Sequence, residues 1–180
     1  MKNIDKKLSV MILCGGKGER LRPITKNLPK PLIKIKKKEI LSHIIDQIKS
    51  FKLKDIFIAS GYKHHLIKKF FLKKHKDCNI NIIYSGIDED IIKRIQSIIK
   101  YSNENLLICY GDTLADININ QLYKFHINKK FPVTMSSYEL KSNFGIIDID
   151  KTYKIKRYNE KPSLNVWFNI GYIIINKSVF

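Results

Sequence analysis

Short apolar runs alternate along this chain with segments whose apolar residues return every three or four positions. The runs at residues 9–13, 55–60, 80–84 and 106–110 have strand length and few polar breaks. Unbroken rather than alternating hydrophobicity predicts parallel strands covered on both faces. Between them lie helix patterns. Residues 39–50 put Ile40, Ile44, Ile45 and Ile48 on one face. Residues 64–74 do the same with Leu66, Ile67, Phe70 and Phe71, and residues 89–101 with Ile91, Ile92, Ile95, Ile98 and Ile99. Strand and helix in alternation predict an α/β fold: three-layer, Rossmann-like, with a mixed, mostly parallel sheet, right-handed crossovers and helices on both faces.

The second half changes character. After a helix at 119–128 come apolar segments at 133–138, 145–150, 153–158 and 167–176. Most alternate or are rich in aromatic residues, with short polar connections, which predicts an antiparallel or mixed extension of the sheet. No repeat or linker divides the chain, so residues 1–180 read as one domain. Residues 167–176 read as a central strand and Ser178 as a helix N-cap, so we expect the domain to be incomplete at Phe180.

Composition narrows the class. With 180 residues and 44% hydrophobic content, the chain can bury a core and is no disordered tail. The net charge of +18 raises the question of nucleic acid. Yet the lysines are spread over the whole length among Ile and Asn. The runs Lys36-Lys37-Lys38 and Lys73-Lys74 fall at loop or helix-end positions and read as solvated. No zinc spacing or aromatic RNA-binding signature accompanies them, so nucleic acid is not the expected partner. The cysteines, Cys14, Cys78 and Cys109, share no metal spacing, and two sit in apolar runs, which fits a reducing cytoplasm. Met1 to Leu8 carries no apolar signal core, and no run reaches membrane-spanning length.

The candidate chemistry starts right after the first run. Gly15-Gly16-Lys17-Gly18-Glu19-Arg20-Leu21-Arg22-Pro23, with Lys30-Pro31 beyond it, combines backbone without Cβ and fixed positive charge. A buried strand opening into such a loop is a phosphate cradle at the carboxyl edge of a sheet. The spacing is neither a dinucleotide fingerprint nor a Walker loop, and Pro23 and Pro29 interrupt any helix; a long basic loop suits a triphosphate. A second site is Tyr110-Gly111-Asp112-Thr113, after the run 106–110. There Gly111 permits a sharp turn and Asp112 is placed as a magnesium ligand, with Asp116 a weaker candidate. The alternative is an Asp that serves only its own turn. The third is Glu160-Lys161-Pro162, able to meet a phosphate and a hydroxyl, or else a solvated ion pair. Phe144-Gly145 and Asn169-Ile170-Gly171 are further openings for a ligand.

Taken in order, these residues resemble the sugar nucleotidyltransferase family, and the likeness runs through nearly all of the chain. The resemblance implies transfer of a nucleotidyl group from a nucleoside triphosphate to a sugar 1-phosphate, with release of pyrophosphate, in nucleotide-sugar and surface-polysaccharide biosynthesis. It implies that Arg20 holds the β- and γ-phosphates, Lys30 sits near the α-phosphate, and Asp112 binds magnesium. Lys161 would bind the sugar phosphate, while Glu160, Gly145, Asn169 and Gly171 face the sugar. Leu13, Cys14, Gly15 and Gly16 would line the base, with Gly18 and Gly111 completing the nucleotide site. Within the family, Tyr110-Gly111-Asp112-Thr113-Leu114-Ala115-Asp116-Ile117, Phe125-His126 and Ile91-Ile92-Lys93-Arg94-Ile95 are similar to its glucose-1-phosphate cytidylyltransferase branch, which implies CTP. A homo-oligomer is compatible with this reading.

Two departures mark the chain. Where the family carries a glycine-rich segment before the third helix, this chain has the acidic Ser85-Gly86-Ile87-Asp88-Glu89-Asp90. The family's second metal-binding aspartate would lie beyond Phe180. These departures support an alternative, a binding or regulatory domain of the same fold with impaired catalysis.

Overall fold

A computed structural model describes residues 7–75 and 79–180; Cys78 lies outside the described residues. Strand β1 (Leu8–Cys14) opens the fold. Three 3-10 turns, Glu19–Leu21, Ile24–Lys26 and Lys30–Leu32, carry the chain to a small hairpin of β2 (Lys34–Ile35) and β3 (Lys38–Glu39). Then follow α1 (Ile40–Ser50), β4 (Asp55–Ser60), α2 (His64–Lys73), β5 (Asn79–Tyr84), α3 (Ile91–Ile99), β6 (Asn105–Tyr110) and α4 (Ile119–Lys129). The rest is strand: β7 (Val133–Lys141), β8 (Ile146–Ile149), β9 (Ile155–Asn159) and β10 (Ser163–Asn176).

The main sheet has six strands in the order β5-β4-β1-β6-β10-β7. Strands β5, β4, β1 and β6 run parallel, and β10 lies antiparallel against β6. Strands β1, β4 and β6 are covered on both faces, whereas β5, at the edge of the sheet, stays partly exposed. Val10, Met11, Ile12, Ile56, Ile58 and the residues 106–109 are fully buried. Right-handed crossovers then decide where each helix goes. From β1 the chain steps outward to β4 and β5, which puts α1 and α2 on one face. From β5 it returns across the sheet to β6, which puts α3 on the other. The packing agrees: Ile95, Ile98 and Ile99 of α3 join Met11, Phe57, Ala59, Leu106 and Ile108 in one cluster. This is the three-layer α/β arrangement the pattern predicts. The reversal of direction leaves a crevice between the carboxyl ends of β1 and β6, where ligands bind in open α/β sheets.

The chain divides into two compact units: the part up to Met135 with Gly171–Phe180, and Ser136–Ile170. In the second unit, β8 and β9 form an antiparallel hairpin with a register shift between Asp148 and Ile149. Asp150 closes its turn by accepting from the N–H groups of Thr152 and Lys154.

The predicted helix cap at the end moves. Ser178 lies inside a 3-10 turn, Lys177–Val179, and the cap is Asn176, whose Oδ1 accepts from the Ser178 N–H at 2.9 Å. Asn and Ser both serve as caps, so the type of signal was right and its position two residues late.

Candidate functional site

The two segments singled out after β1 and β6 meet. A cavity of about 710 Å3 is lined by Leu13 to Leu21, Lys30, Pro31, Tyr110, Gly111 and Asp112, and on its other side by Ile87, Asp88, Glu89, Ile91 and Arg94. All of these belong to the first unit. Backbone hydrogen bonds stitch the strand ends together. Gly111 N–H donates to the Leu13 carbonyl and Tyr62 N–H to the Gly15 carbonyl, each at 3.0 Å.

The long loop is braced rather than loose. Gly18 sits at φ +64°, a left-handed conformation that costs side-chain-bearing residues energy. Its carbonyl accepts from the buried Thr25 hydroxyl at 2.8 Å, and Tyr62 Oη donates to the carbonyls of Thr25 and Lys26. Gly111 answers a different need. Its φ is ordinary, but a Cβ there would run into the Leu13 carbonyl, so what the position demands is close strand approach. Gly16 faces open space, where backbone is free to meet a ligand.

Four cations line the cavity, and three are committed. Lys30 Nζ lies 2.6 Å from Asp112 Oδ2. Lys17 Nζ lies 2.5 Å from Asp88 Oδ1, and this pairing raises the pKa of the exposed ammonium. Arg94 makes only neutral contacts, described below. Arg20 has no hydrogen bond or ion pair among the described residues and is exposed at the cavity wall. Arg22, the other arginine of the motif, folds back on Glu19 at 3.3 Å and does not line the cavity.

The remaining predicted residues divide between the units. Gly171, at φ +82° in the first unit, packs against Tyr110, a lining residue; a Cβ there would lie 3.0 Å from the ring. Gly145, Glu160, Lys161 and Asn169 belong to the second unit. There Tyr158 links two of them. Its ring fills the space above Gly145, and its hydroxyl donates to Glu160 Oε2, which raises the phenol's pKa. Lys161 is exposed in a left-handed conformation at φ +44°. Asp116 is exposed and does not line the cavity.

Sequence reading missed Arg94. It is 6% exposed, the most deeply buried cation of the cavity wall. Its Nη1 donates to Ser85 Oγ and the Gly86 carbonyl, both at 2.8 Å. Nη2 donates to the Ile87 carbonyl at 3.0 Å and Nε to the Glu89 carbonyl at 3.1 Å. Burial lowers its pKa, and Glu89, Asp88 and Asp90 push the other way. The signal was present in the sequence: Arg94 falls on the apolar stripe of α3, between Ile91 and Ile98, where a charge needs a reason. It also gives the acidic segment 85–90 a use. Asp88 pairs with Lys17, Glu89 with Lys93 at 3.0 Å, and Asp90 caps α3 by accepting from the Lys93 N–H. None of the three confronts the cavity as an uncompensated charge.

Known proteins match this geometry. The family pattern described as Nucleotidyl transferase matches residues 9–180. "Probable glucose-1-phosphate cytidylyltransferase" of Bacillus subtilis (strain 168) is 30% identical over 96% of this chain and 76% of its own length. Mannose-1-phosphate guanylyltransferase catalytic subunit beta of Drosophila melanogaster is 29% identical, and this chain spans about half of it, 48%. Among solved structures, HddC of Yersinia pseudotuberculosis complexed with GMP-PN has a TM-score of 0.72 at 20% identity, over 95% of this chain and 77% of its own. At that identity the likeness is one of fold. Matched over residues 9–180, the chain belongs to the nucleotidyl transferase family, among relatives that are sugar-1-phosphate nucleotidyltransferases.

Proposed function

We propose that this chain moves a nucleotidyl group from a nucleoside triphosphate, CTP by preference, onto a sugar 1-phosphate and releases pyrophosphate. The observation that carries this reading is the shared cavity, which gathers the glycine-rich basic loop and Asp112 at the reversal point of the sheet. Its size suits a nucleotide. The cytidylyl preference rests on the residue runs at 91–95, 110–117 and 125–126 and agrees with the Bacillus relative's name; guanylyl enzymes match almost as well.

The donor chemistry fits a magnesium ion. Asp112 offers a hard carboxylate oxygen at the cavity wall, and that oxygen already holds a cation, the Lys30 ammonium. Among the described residues Asp112 has no cluster of three potential metal ligands around it, so it is the one residue assigned to hold such an ion. When bound, the ion's contribution is withdrawal of negative charge from the phosphate oxygens.

The chain's own residues do the positioning. Arg20, uncommitted, takes the β- and γ-phosphates. Lys30, released from Asp112 by an arriving phosphate, moves its charge to the α-phosphate. Backbone from Gly15 to Gly18 lines the path. An oxygen of the sugar phosphate forms the new bond to the α-phosphorus. The bond from the α-phosphorus to the bridging oxygen breaks, and its electron pair leaves with pyrophosphate. The attacking oxygen is already anionic, so no general base is needed; catalysis rests on alignment and charge neutralisation. In this reading Lys161 takes the sugar phosphate, and Glu160, Gly145, Asn169 and Gly171 face the sugar.

The test is pyrophosphate release from each of the four triphosphates with a panel of sugar 1-phosphates and magnesium. Release with CTP above the others supports the full proposal. Triphosphate binding without release supports the binding-domain alternative instead, and no binding at all refutes both.

A further inference from the structure

The sheet order sets the two ends of the cavity apart. Asp112 follows β6, and the segment 85–90 follows β5, three strands away in the order β5-β4-β1-β6. At ordinary strand spacing that is about 14 Å, roughly the span of a nucleotide. The two ends differ in chemistry. The β6 end holds Lys30 and Asp112, with Arg20 on the loop between. The β5 end brings Ile87 and Ile91 to the lining, together with Asp88 and Glu89, whose charges are paired with Lys17 and Lys93, and the buried Arg94. An uncharged, flat nucleobase belongs with the apolar residues, and the polyphosphate with the cations.

What fixes the β5 end is one side chain. The Arg94 guanidinium spans the carbonyls of Gly86, Ile87 and Glu89 and the hydroxyl of Ser85. Ser85 is tied on to β4 through the Ser60 carbonyl. The same guanidinium occupies the space a Cβ would need at Gly15 and lies within 3.0 Å of that position at Gly61. It is thus wedged among the ends of β1, β4 and β5.

We infer that Arg94 is a positioning residue for nucleobase selection: it locks the segment 85–90 against Gly15 and so sets the wall that the base meets. This inference rests on the nucleotide reading above. Arg94 acts through the wall, and the phosphates belong to Arg20 and Lys30.

The experiment uses Arg94→Lys, which keeps the charge and loses the fork, and Ser85→Ala, which trims one contact and leaves the cation buried among the others. Amide hydrogen exchange of the ligand-free proteins reads the wall directly. Calorimetric titration with ATP, CTP, GTP, UTP and inorganic tripolyphosphate reads its consequence. For Arg94→Lys we expect faster exchange across residues 85–91. We also expect a loss of roughly tenfold or more for the preferred triphosphate, the scale of one charge-assisted hydrogen bond, and a narrower spread among the four bases. Tripolyphosphate, which has no base, should bind within about twofold of wild type, and Ser85→Ala should shift in the same direction by less. An equal loss for tripolyphosphate and all four nucleotides would assign Arg94 to phosphate binding and overturn the inference. So would unchanged exchange in the segment. If wild type binds tripolyphosphate but discriminates among no bases, selection by this wall is refuted while phosphate binding stands. If it binds none of the five, the nucleotide reading itself fails, and base selection with it.

Discussion

Lys30 and Asp112 hold one another at 2.6 Å, each about a third exposed. As a stability element the pair counts for about 1 kcal/mol or less, because water screens it. Its weight lies in ligand binding. Asp112→Asn should abolish metal-dependent turnover and weaken Mn2+ binding followed by electron paramagnetic resonance, while metal-free triphosphate binding persists. Metal-dependent turnover at the wild-type rate would remove Asp112 from its assigned place. Arg20→Ala should cost roughly 1.5–3 kcal/mol of triphosphate affinity, the range for a hydrogen bond to a charged group, measured by calorimetry. At this scale the sequence was readable wherever chemistry is written in local order. The glycines, Arg20, Lys30 and Asp112 announce themselves by type and by the strands before them. Arg94 did not, and Lys17 showed its charge without its partner, because both depend on groups contributed by the segment after β5. Nor could sequence show that Gly15 is small because a guanidinium fills the space beside it.

Elements with both faces covered were the most legible. The unbroken runs became β1, β4, β5 and β6 with ends shifted by a residue at most; burial dictates the first, second and last of these, and β5 completes the sheet as a partly exposed edge. Helix α3 is shorter than its pattern, because Asp90 caps it and the residues before it are held by Arg94. The aromatic-rich second half was harder. Residues 163–166 extend β10 although they carry no strong apolar signal. The core gives one prediction: Ile98→Ala, fully buried on α3, should lower unfolding free energy by about 2–5 kcal/mol in urea titration. The junction of α4 with β6 and β7 gives another. His126 is buried between Thr134 Oγ1 at 2.8 Å and Asn105 Oδ1 at 3.2 Å, and burial holds its pKa below 6.5. The unfolded chain therefore takes up the proton first. Stability from this site is complete above about pH 6.5 and declines as pH falls below it. The melting temperature of His126→Gln, compared with wild type between pH 7.5 and 5, should show the flatter acid limb.

Across the whole molecule the net charge of +18 repels itself. Raising NaCl from about 20 to 300 mM should raise the melting temperature through screening, while slowing the capture of anionic ligands. The sheet order was legible only in outline. Alternation predicts layers, but which strand lies beside which follows from crossover handedness and from long-range pairing that no local pattern encodes.

Cys14 on β1 and Cys109 on β6 are both buried, and burial pushes both thiols well above their usual range. They lie in adjacent strands whose ends carry the two halves of the cavity. Cys109 is sealed between its neighbours and Cys14 is buried at the cavity wall, so alkylation of either is slow while those strands stay zipped and the wall is closed. In a Cys78→Ser protein, the gain of mass from iodoacetamide over time would therefore act as a stopwatch for strand separation, and a seated ligand should slow its ticking.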